Sequence, residues 1–210
     1  MSSYGDTRRE YVGPTLNETE AMADPFAQFA AWFDQVKTLE TDPTAMALAT
    51  ASRDGRPSAR MVLLKGVDAR GFVFYTNYAS RKAAELDASG RASLLFFWRL
   101  LERQVRIDGA VERVSADESD AYFATRPLES RWSVYASRQS AVIDGRGPLE
   151  ARFEQARLGQ GEAVARPDWW GGYRVLPDEF EFWQGRVNRL HDRLRYARDG
   201  NAWRRERLAP

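Results

Sequence analysis

The sequence has no cysteine and a single histidine. Disulfides, thiol catalysis and cysteine-ligated zinc or iron–sulfur centres are therefore excluded, and a histidine-rich metal site has nothing to draw on, so no metal is expected. Long apolar runs are missing too. Nothing approaches the roughly 18–20 apolar residues of a membrane span, and the opening MSSYGDTRREY has no apolar core of signal-peptide length. The expectation is a soluble, cytoplasmic protein. Net charge is nearly absent, with 31 Lys and Arg against 30 Asp and Glu, so no overall field recruits nucleic acid or an anionic membrane. Lysine is scarce: Lys37, Lys65 and Lys82 are the only three, and the other cations are arginine.

What is present suffices for one packed domain, since 43% of the 210 residues are hydrophobic and 12% aromatic. The cations are unevenly placed. From Arg186 to Pro210 there are eight Arg against Asp192, Asp199 and Glu206, a balance of +5 that leaves −4 for residues 1–185. Residues 1–23 form a polar arm around Gly13-Pro14, expected to be mobile unless something docks it, and residues 24–210 read as the domain. Asp24-Pro25 opens a helix with Phe26, Phe29, Ala30 and Phe33 on one face, expected to end near Asp42-Pro43. Short β-rich runs follow: AMALATAS, a turn at Asp54-Gly55, SARMVLLKGV, a turn at Asp68 to Gly71, then FVFYTN. Ser80 caps a short helix to about Ala88, and RASLLFFW and ERQVRIDGAVERV read as two more strands. Helices are predicted at about 116–125, 129–137 and 148–158, with strands from Trp170 onward. Tight turns between consecutive strands imply antiparallel pairing and closure into a barrel with helices outside, a mainly β, α+β fold. A dinucleotide fingerprint and a GxxxxGK[ST] loop are both missing.

Four constellations could carry chemistry. Ser80-Arg81-Lys82 puts two cations in a helix's first turn, where the macrodipole disfavours them unless an anion such as phosphate binds there; solvated cations are the alternative. Arg60 and Lys65 bound an apolar strand and, by parity, lie on opposite faces unless a bulge intervenes; they serve different groups or simply reach water. Tyr122, Arg126 and Ser130 recur every four residues across Pro127, either a phosphate cup or an amphipathic helix followed by a cap. Arg189, His191 and Arg193 alternate on a predicted strand, a solvated face or a set of hydrogen-bonding groups in which the arginines keep the imidazole neutral. Together they offer anion donors but no metal ligands and no nucleophile, which suits a protein that holds two phosphorylated molecules against each other.

These residues sit within a longer series of motifs: RREY from Arg8, DPTAM from Asp42, VLLK from Val62, FYTN from Phe74, SRKA from Ser80, ERQV from Glu102, Ser137-Arg-Gln-Ser140, WGG from Trp170, EFWQG from Glu181, RLHDR from Arg189 and the terminal RLAP. In this order and over nearly the full length, the chain resembles the pyridoxine/pyridoxamine 5'-phosphate oxidases, FMN-dependent split-barrel enzymes of vitamin B6 metabolism.

The resemblance implies an antiparallel split β-barrel with peripheral helices, a homodimer with FMN at the subunit interface, and oxidation of pyridoxamine or pyridoxine 5'-phosphate to pyridoxal 5'-phosphate. Hydride would leave C4' for FMN, and dioxygen would be reduced to hydrogen peroxide. For FMN it implies Arg60, Met61, Val62, Leu63, Leu64, Lys65, Tyr75, Thr76, Arg81, Lys82, Gln104, Gln139, Ser140, Trp183 and Arg193. For the vitamer it implies Lys65, Tyr122, Arg126 and Ser130 around the phosphate, with Arg189 and His191 as the catalytic pair over the ring. Arg8 and Tyr11 match a segment that folds over bound substrate, which would make the arm a lid. Two rivals stand beside this reading: a same-fold flavin oxidase of the phenazine-precursor type, and a flavin- or pyridoxal-phosphate-binding protein without turnover. A nucleic-acid module built on the basic tail is more distant.

Overall fold

The computed structural model describes residues 9–210. In chain order they form α1 (Pro25–Val36), β1 (Ala45–Ala51), β2 (Pro57–Leu63), β3 (Gly66–Asp68), β4 (Gly71–Asn77), α2 (Arg81–Ser89), β5 (Arg91–Trp98) and β6 (Arg103–Arg113). They continue with α3 (Ala116–Thr125), α4 (Leu128–Ala136), α5 (Gly147–Gln160), β7 (Trp170–Gln184), a 3-10 turn (Val187–Arg189), β8 (Asp192–Asp199) and β9 (Ala202–Arg207). The strands make one sheet in the order β2-β1-β5-β6-β7-β4-β3, with β8 on β7 and β9 on β8. Strand β7 is long enough to serve three partners: besides its pairing with β6, Trp170–Val175 pairs antiparallel with β4, and Glu179–Gln184 pairs antiparallel with β8. The mainly antiparallel, helix-bearing class expected from the turns is what forms. Among the described residues no helix is long and apolar enough to cross a membrane.

The chain divides into two compact units, one built from residues up to Leu48 with Ser93–Gly109 and Pro177–Pro210, the other from Ala49–Ala92 and Ala110–Leu176. In the first, the Asp24 carboxylate accepts the Phe26 N–H and Pro25 occupies the first turn, so α1 starts as its sequence requires. The helix buries Phe29, Trp32 and Val36. Phe29 lies 5.2 Å from Phe96 between ring centres, and Trp32 meets Phe182 edge-on at 5.3 Å. The helix stops at Val36, short of the expected Asp42-Pro43. The apolar face runs out there: Leu39 is exposed, and the N–H groups of Leu39 and Glu40 both turn back to the Val36 carbonyl.

The described part of the arm is tied into this unit. Leu16 is buried, and its N–H donates to Asp192 at 3.0 Å. Arg207 gathers Glu18, Asp192 and the Leu16 carbonyl, which joins the arm to β8 and β9.

In the second unit β4 is buried along its length except at Tyr75. The N-cap read from sequence at Ser80 is present, its hydroxyl accepting the Ala83 N–H for α2, and Ser115 likewise accepts the Glu118 N–H for α3. The fully buried Arg174 ties these elements together by donating to Asp68 at the end of β3 and to Glu118 on α3, at 3.1 and 2.9 Å. Gly71 begins β4 where backbones crowd, since a Cβ there would lie 1.9 Å from the Val175 carbonyl oxygen. Gly71→Ala is therefore expected to destabilise the protein by about 2–3 kcal/mol, because relief requires breaking the β4–β7 register. Urea unfolding of the variant against the parent measures the loss.

Candidate active site

The second unit holds a cavity of about 980 Å³. Its walls come from Arg60–Leu63 of β2, Lys65, Tyr75–Asn77 of β4, Lys82 of α2, Gln139, and Tyr122, Arg126 and Ser130 from α3, α4 and the joint between them. Arg60 and Lys65 line it together. Unbroken strand parity would have separated them, but β2 ends at Leu63, and the Lys65 N–H is redirected to the Val73 carbonyl at 2.8 Å.

One end of the cavity is built on Glu85, a buried carboxylate on α2. It accepts from Thr50 at 2.5 Å, Ser58 at 2.6 Å, Arg60 at 3.1 Å and, through its other oxygen, Arg81 at 2.8 Å. Burial pushes its pKa up, but the hydrogen bonds from Ser58, Thr50, Arg81 and Arg60 outweigh that and bring it down to about 2. The helix-start cations thus part company. Arg81 finds its anion four residues along its own helix and does not line the cavity; its backbone N–H donates to the Ser140 hydroxyl. Lys82 does line it, and donates to two neutral oxygens, Gln139 Oε1 at 2.7 Å and Thr76 Oγ1 at 3.2 Å. Burial and the nearby Arg60 charge hold its pKa below the usual lysine value.

A second cationic group stands where α3 gives way to α4. Pro127 breaks the helix, and Arg126 takes an extended conformation (φ −73°, ψ 145°), yet Tyr122, Arg126 and Ser130 still face one cavity. The Arg126 guanidinium lies 4.7 Å over the Trp170 ring, and its buried Nη1 has no hydrogen-bond partner among the described residues. Burial lowers its pKa, partly offset by Tyr122. Tyr75, Tyr122 and Trp170 form a stack, with Tyr75 and Tyr122 centred 3.9 Å apart and within 12° of parallel. The cavity can hold two anions: one near Lys82 and Arg60, one at Arg126.

The remaining expected residues lie in the first unit, apart from Arg8, which is outside the described residues, and Leu64, which is buried in the second unit and does not line the cavity. Gln104 is half-buried on β6, and Arg193 on β8 donates to Glu181 at 2.7 Å and to the Ala209 carbonyl at 2.8 Å. The predicted strand through Arg189 and His191 does not form. Asn188 and Arg189 both take left-handed backbone (φ 57° and 61°), which no strand continues, so β8 starts only at Asp192. His191 Nδ1 accepts the Arg186 N–H at 3.1 Å, which leaves the neutral ring's proton on Nε2. Burial and the Arg189 charge lower its pKa, which favours the neutral ring. Its neighbours are Trp183, centred 4.7 Å away, and Tyr11, at 5.6 Å.

Glu85 and Trp170 were missed as site residues from sequence. The four-residue spacing of Glu85 from Arg81 was a usable sign; nothing local announced that Trp170 would underlie Arg126.

A family model described as pyridoxamine 5'-phosphate oxidase matches residues 33–159, and one described as the pyridoxine 5'-phosphate oxidase C-terminal dimerisation region matches residues 170–210. The chain belongs to the pyridoxamine 5'-phosphate oxidase family. A member of the family from Bordetella petrii, named pyridoxine/pyridoxamine 5'-phosphate oxidase, is 58% identical over 99% of this chain and all of its own length. The family's split barrel is seen in PhzG from Burkholderia lata 383, solved with tetrahydrophenazine-1-carboxylic acid. That structure is 35% identical with a TM-score of 0.88, covering 94% of this chain and 99% of that one. A pyridoxamine 5'-phosphate oxidase-related, FMN-binding protein from Nostoc punctiforme shares the fold at a TM-score of 0.72 and 17% identity, over 90% and 100% of the two chains.

For this member of the family, the Glu85 cluster makes a pH-dependent claim. Its folded pKa lies below the ordinary 4.5, so its stabilisation is complete above that value and is lost as pH falls toward about 2. Glu85→Gln is expected to cost about 3 kcal/mol at pH 7 by leaving Arg60 short of its counter-charge. The gap from the parent in urea unfolding should narrow steadily below pH 4.5; a gap that is constant with pH would contradict the assignment.

Proposed function

We propose that this chain is an FMN-dependent oxidase that converts pyridoxamine 5'-phosphate and pyridoxine 5'-phosphate to pyridoxal 5'-phosphate, with dioxygen as the final acceptor and hydrogen peroxide as by-product. The observation that carries it is the buried, unpartnered Nη1 of Arg126 in a cavity also lined by Tyr122, Ser130 and Lys65. A desolvated guanidinium nitrogen with no acceptor fits a phosphate oxygen as its partner, and a phenol, a hydroxyl and an amine complete a cup. The separate pair Arg60 and Lys82 fits the phosphate of FMN, and the volume stands at the upper end of the range for ligand cavities, where two ring systems can share a site.

FMN held by these residues would supply the redox chemistry, hydride acceptance from the substrate and reduction of dioxygen. The protein's own work is binding and orientation. Arg126, Tyr122, Ser130 and Lys65 anchor the vitamer's phosphate. Arg60 to Lys65, Tyr75, Thr76, Arg81, Lys82, Gln139 and Ser140 hold FMN, joined by Gln104, Trp183 and Arg193, with FMN at the interface of a homodimer. Arg189 and His191 orient the substrate's reacting carbon, the neutral imidazole as an Nε2–H donor. Residues 1–23, with Arg8 and Tyr11, cover the bound vitamer, and residues 24–210 act as one domain.

The likeness to PhzG, solved with a phenazine-type acid, favours a ring substrate without phosphate as a second reading. The cup of Tyr122, Arg126, Ser130 and Lys65 weighs against it, because four donors suit the three terminal oxygens of a phosphate better than the two of a ring carboxylate.

Purified protein is expected to carry a flavin spectrum and, in air, to form pyridoxal 5'-phosphate and peroxide in equal amounts from pyridoxine 5'-phosphate. Flavin binding without turnover would leave only a binding protein. Arg126→Ala is expected to weaken substrate binding by about 2–5 kcal/mol, read as a raised KM; an unchanged KM removes the phosphate cup. His191→Ala should remain yellow but turn over more slowly, and loss of flavin in that variant would mean the residue serves the cofactor instead.

A further inference from the structure

We propose that Glu102 is a positioning residue: a buried carboxylate whose left-handed backbone aims it at residues 9–13, so that it clamps the arm and holds Tyr11 against His191 and Trp183. The inference rests on the reading of His191 and Tyr11 as residues that serve the vitamer.

Glu102 ends the tight connection between β5 and β6, at φ 55° and 4% exposed. Residues with a Cβ rarely adopt that conformation, and a glutamate side chain lacks the short local hydrogen bond by which Asn and Asp offset it. A structural gain must therefore compensate, and both oxygens supply one. Oε1 accepts Arg9 Nη2 at 3.0 Å, while Oε2 accepts the backbone N–H groups of Val12 and Gly13 at 2.7 and 2.9 Å. A carboxylate bonded to two successive amides fixes the direction of the chain through them. The same residue's carbonyl accepts the Gly185 N–H at 2.8 Å and Gln184 Nε2 at 3.3 Å. Glu102 therefore binds the arm with its side chain and the end of β7 with its backbone.

The fit between those two segments is close. A Cβ on Gly13 would fall 2.2 Å from Gln184 Nε2 and 2.8 Å from the Gly185 carbonyl oxygen, and a Cβ on Gly185 would fall 2.9 Å from the Tyr11 ring. Laid down in this way, Tyr11 meets Trp183 and His191 edge-on, at 5.5 and 5.6 Å between centres. Arg186 closes the loop: its guanidinium donates to the Gly13 carbonyl at 2.8 Å while its backbone N–H holds His191 Nδ1. Every link is within the first unit, and the chain of contacts runs from one strained carboxylate to the imidazole.

The test uses FMN-loaded protein with Glu102→Gly, which suits φ 55° without a side chain, and with Glu102→Gln, which keeps one acceptor oxygen. Hydrogen exchange at the Val12 and Gly13 amides is expected to accelerate by about tenfold or more in Glu102→Gly, the scale set by losing a charged hydrogen bond, and by less in Glu102→Gln. KM for pyridoxine 5'-phosphate should rise by about tenfold with a smaller change in kcat. Tyr11→Ala should raise KM similarly, and the Glu102→Gly/Tyr11→Ala double variant should be no worse than either single change, since both act through one contact. Independent, multiplying effects would overturn the proposal, as would released amides with an unchanged KM or amides that exchange as in the parent. Because exchange is read without turnover, an inactive parent protein whose amides are released by Glu102→Gly would sink the proposed reaction while supporting the clamp.

Discussion

A buried guanidinium nitrogen that bonds nothing costs about 1–3 kcal/mol, and the protein carries that cost at Arg126. Much of the second unit's site can be understood as what makes the cost bearable. Pro127 breaks the helix and leaves Arg126 extended, while the Trp170 face gives the cation a polarisable floor without neutralising it. Tyr75 and Tyr122 stack with Trp170 and keep the walls flat. A carboxylate in the same place would satisfy Arg126 and leave nothing for a phosphate to gain.

The opposite end shows the contrast. Arg60 and Arg81 share Glu85, whose four donors bring its pKa far down and make the cluster a permanent ion pair at neutral pH. Among the described residues Lys82 is spared that neutralisation and meets only an amide and a hydroxyl oxygen. Glu85 thus holds Arg60 and Arg81 in place, while Lys82, which lines the cavity with Arg60, has no carboxylate partner among the described residues. Placing charges before a ligand arrives avoids reorganisation when it binds, which is the usual source of affinity for doubly charged groups.

The first unit applies the same economy of carboxylates to the chain itself. Glu102, Glu181 and Asp192 each sit beside an expected functional residue and spend their oxygens on backbone amides or arginines: Glu102 on the arm, Glu181 on Arg193, Asp192 on Leu16 and Arg207. The histidine is then left with a backbone donor on Nδ1 and aromatic neighbours, while the adjacent Asp192 is taken up by Leu16 and Arg207. That setting suits a neutral donor better than a proton-transfer base.

Much was legible beforehand because it is local. Caps at Asp24 and Ser80, the antiparallel meander, the helix pair interrupted at Pro127 and the ordered motifs depend on neighbours a few residues apart, where propensity and hydrogen bonding act directly. Two local readings failed for reasons that are not local: α1 stops when its apolar face loses a partner, and the strand through His191 gives way to left-handed backbone at Asn188 and Arg189. The sequence alone determined which side chains were available: three lysines, one histidine, no thiol, and an Arg, Tyr and Ser at a spacing of four. Tertiary structure decided which cations stay unneutralised, because charge pairing depends on distances of a few ångströms between segments far apart in the chain. Glu85 beside Arg60, Trp170 beneath Arg126 and Glu102 beneath the arm exist only once the sheet has brought them together.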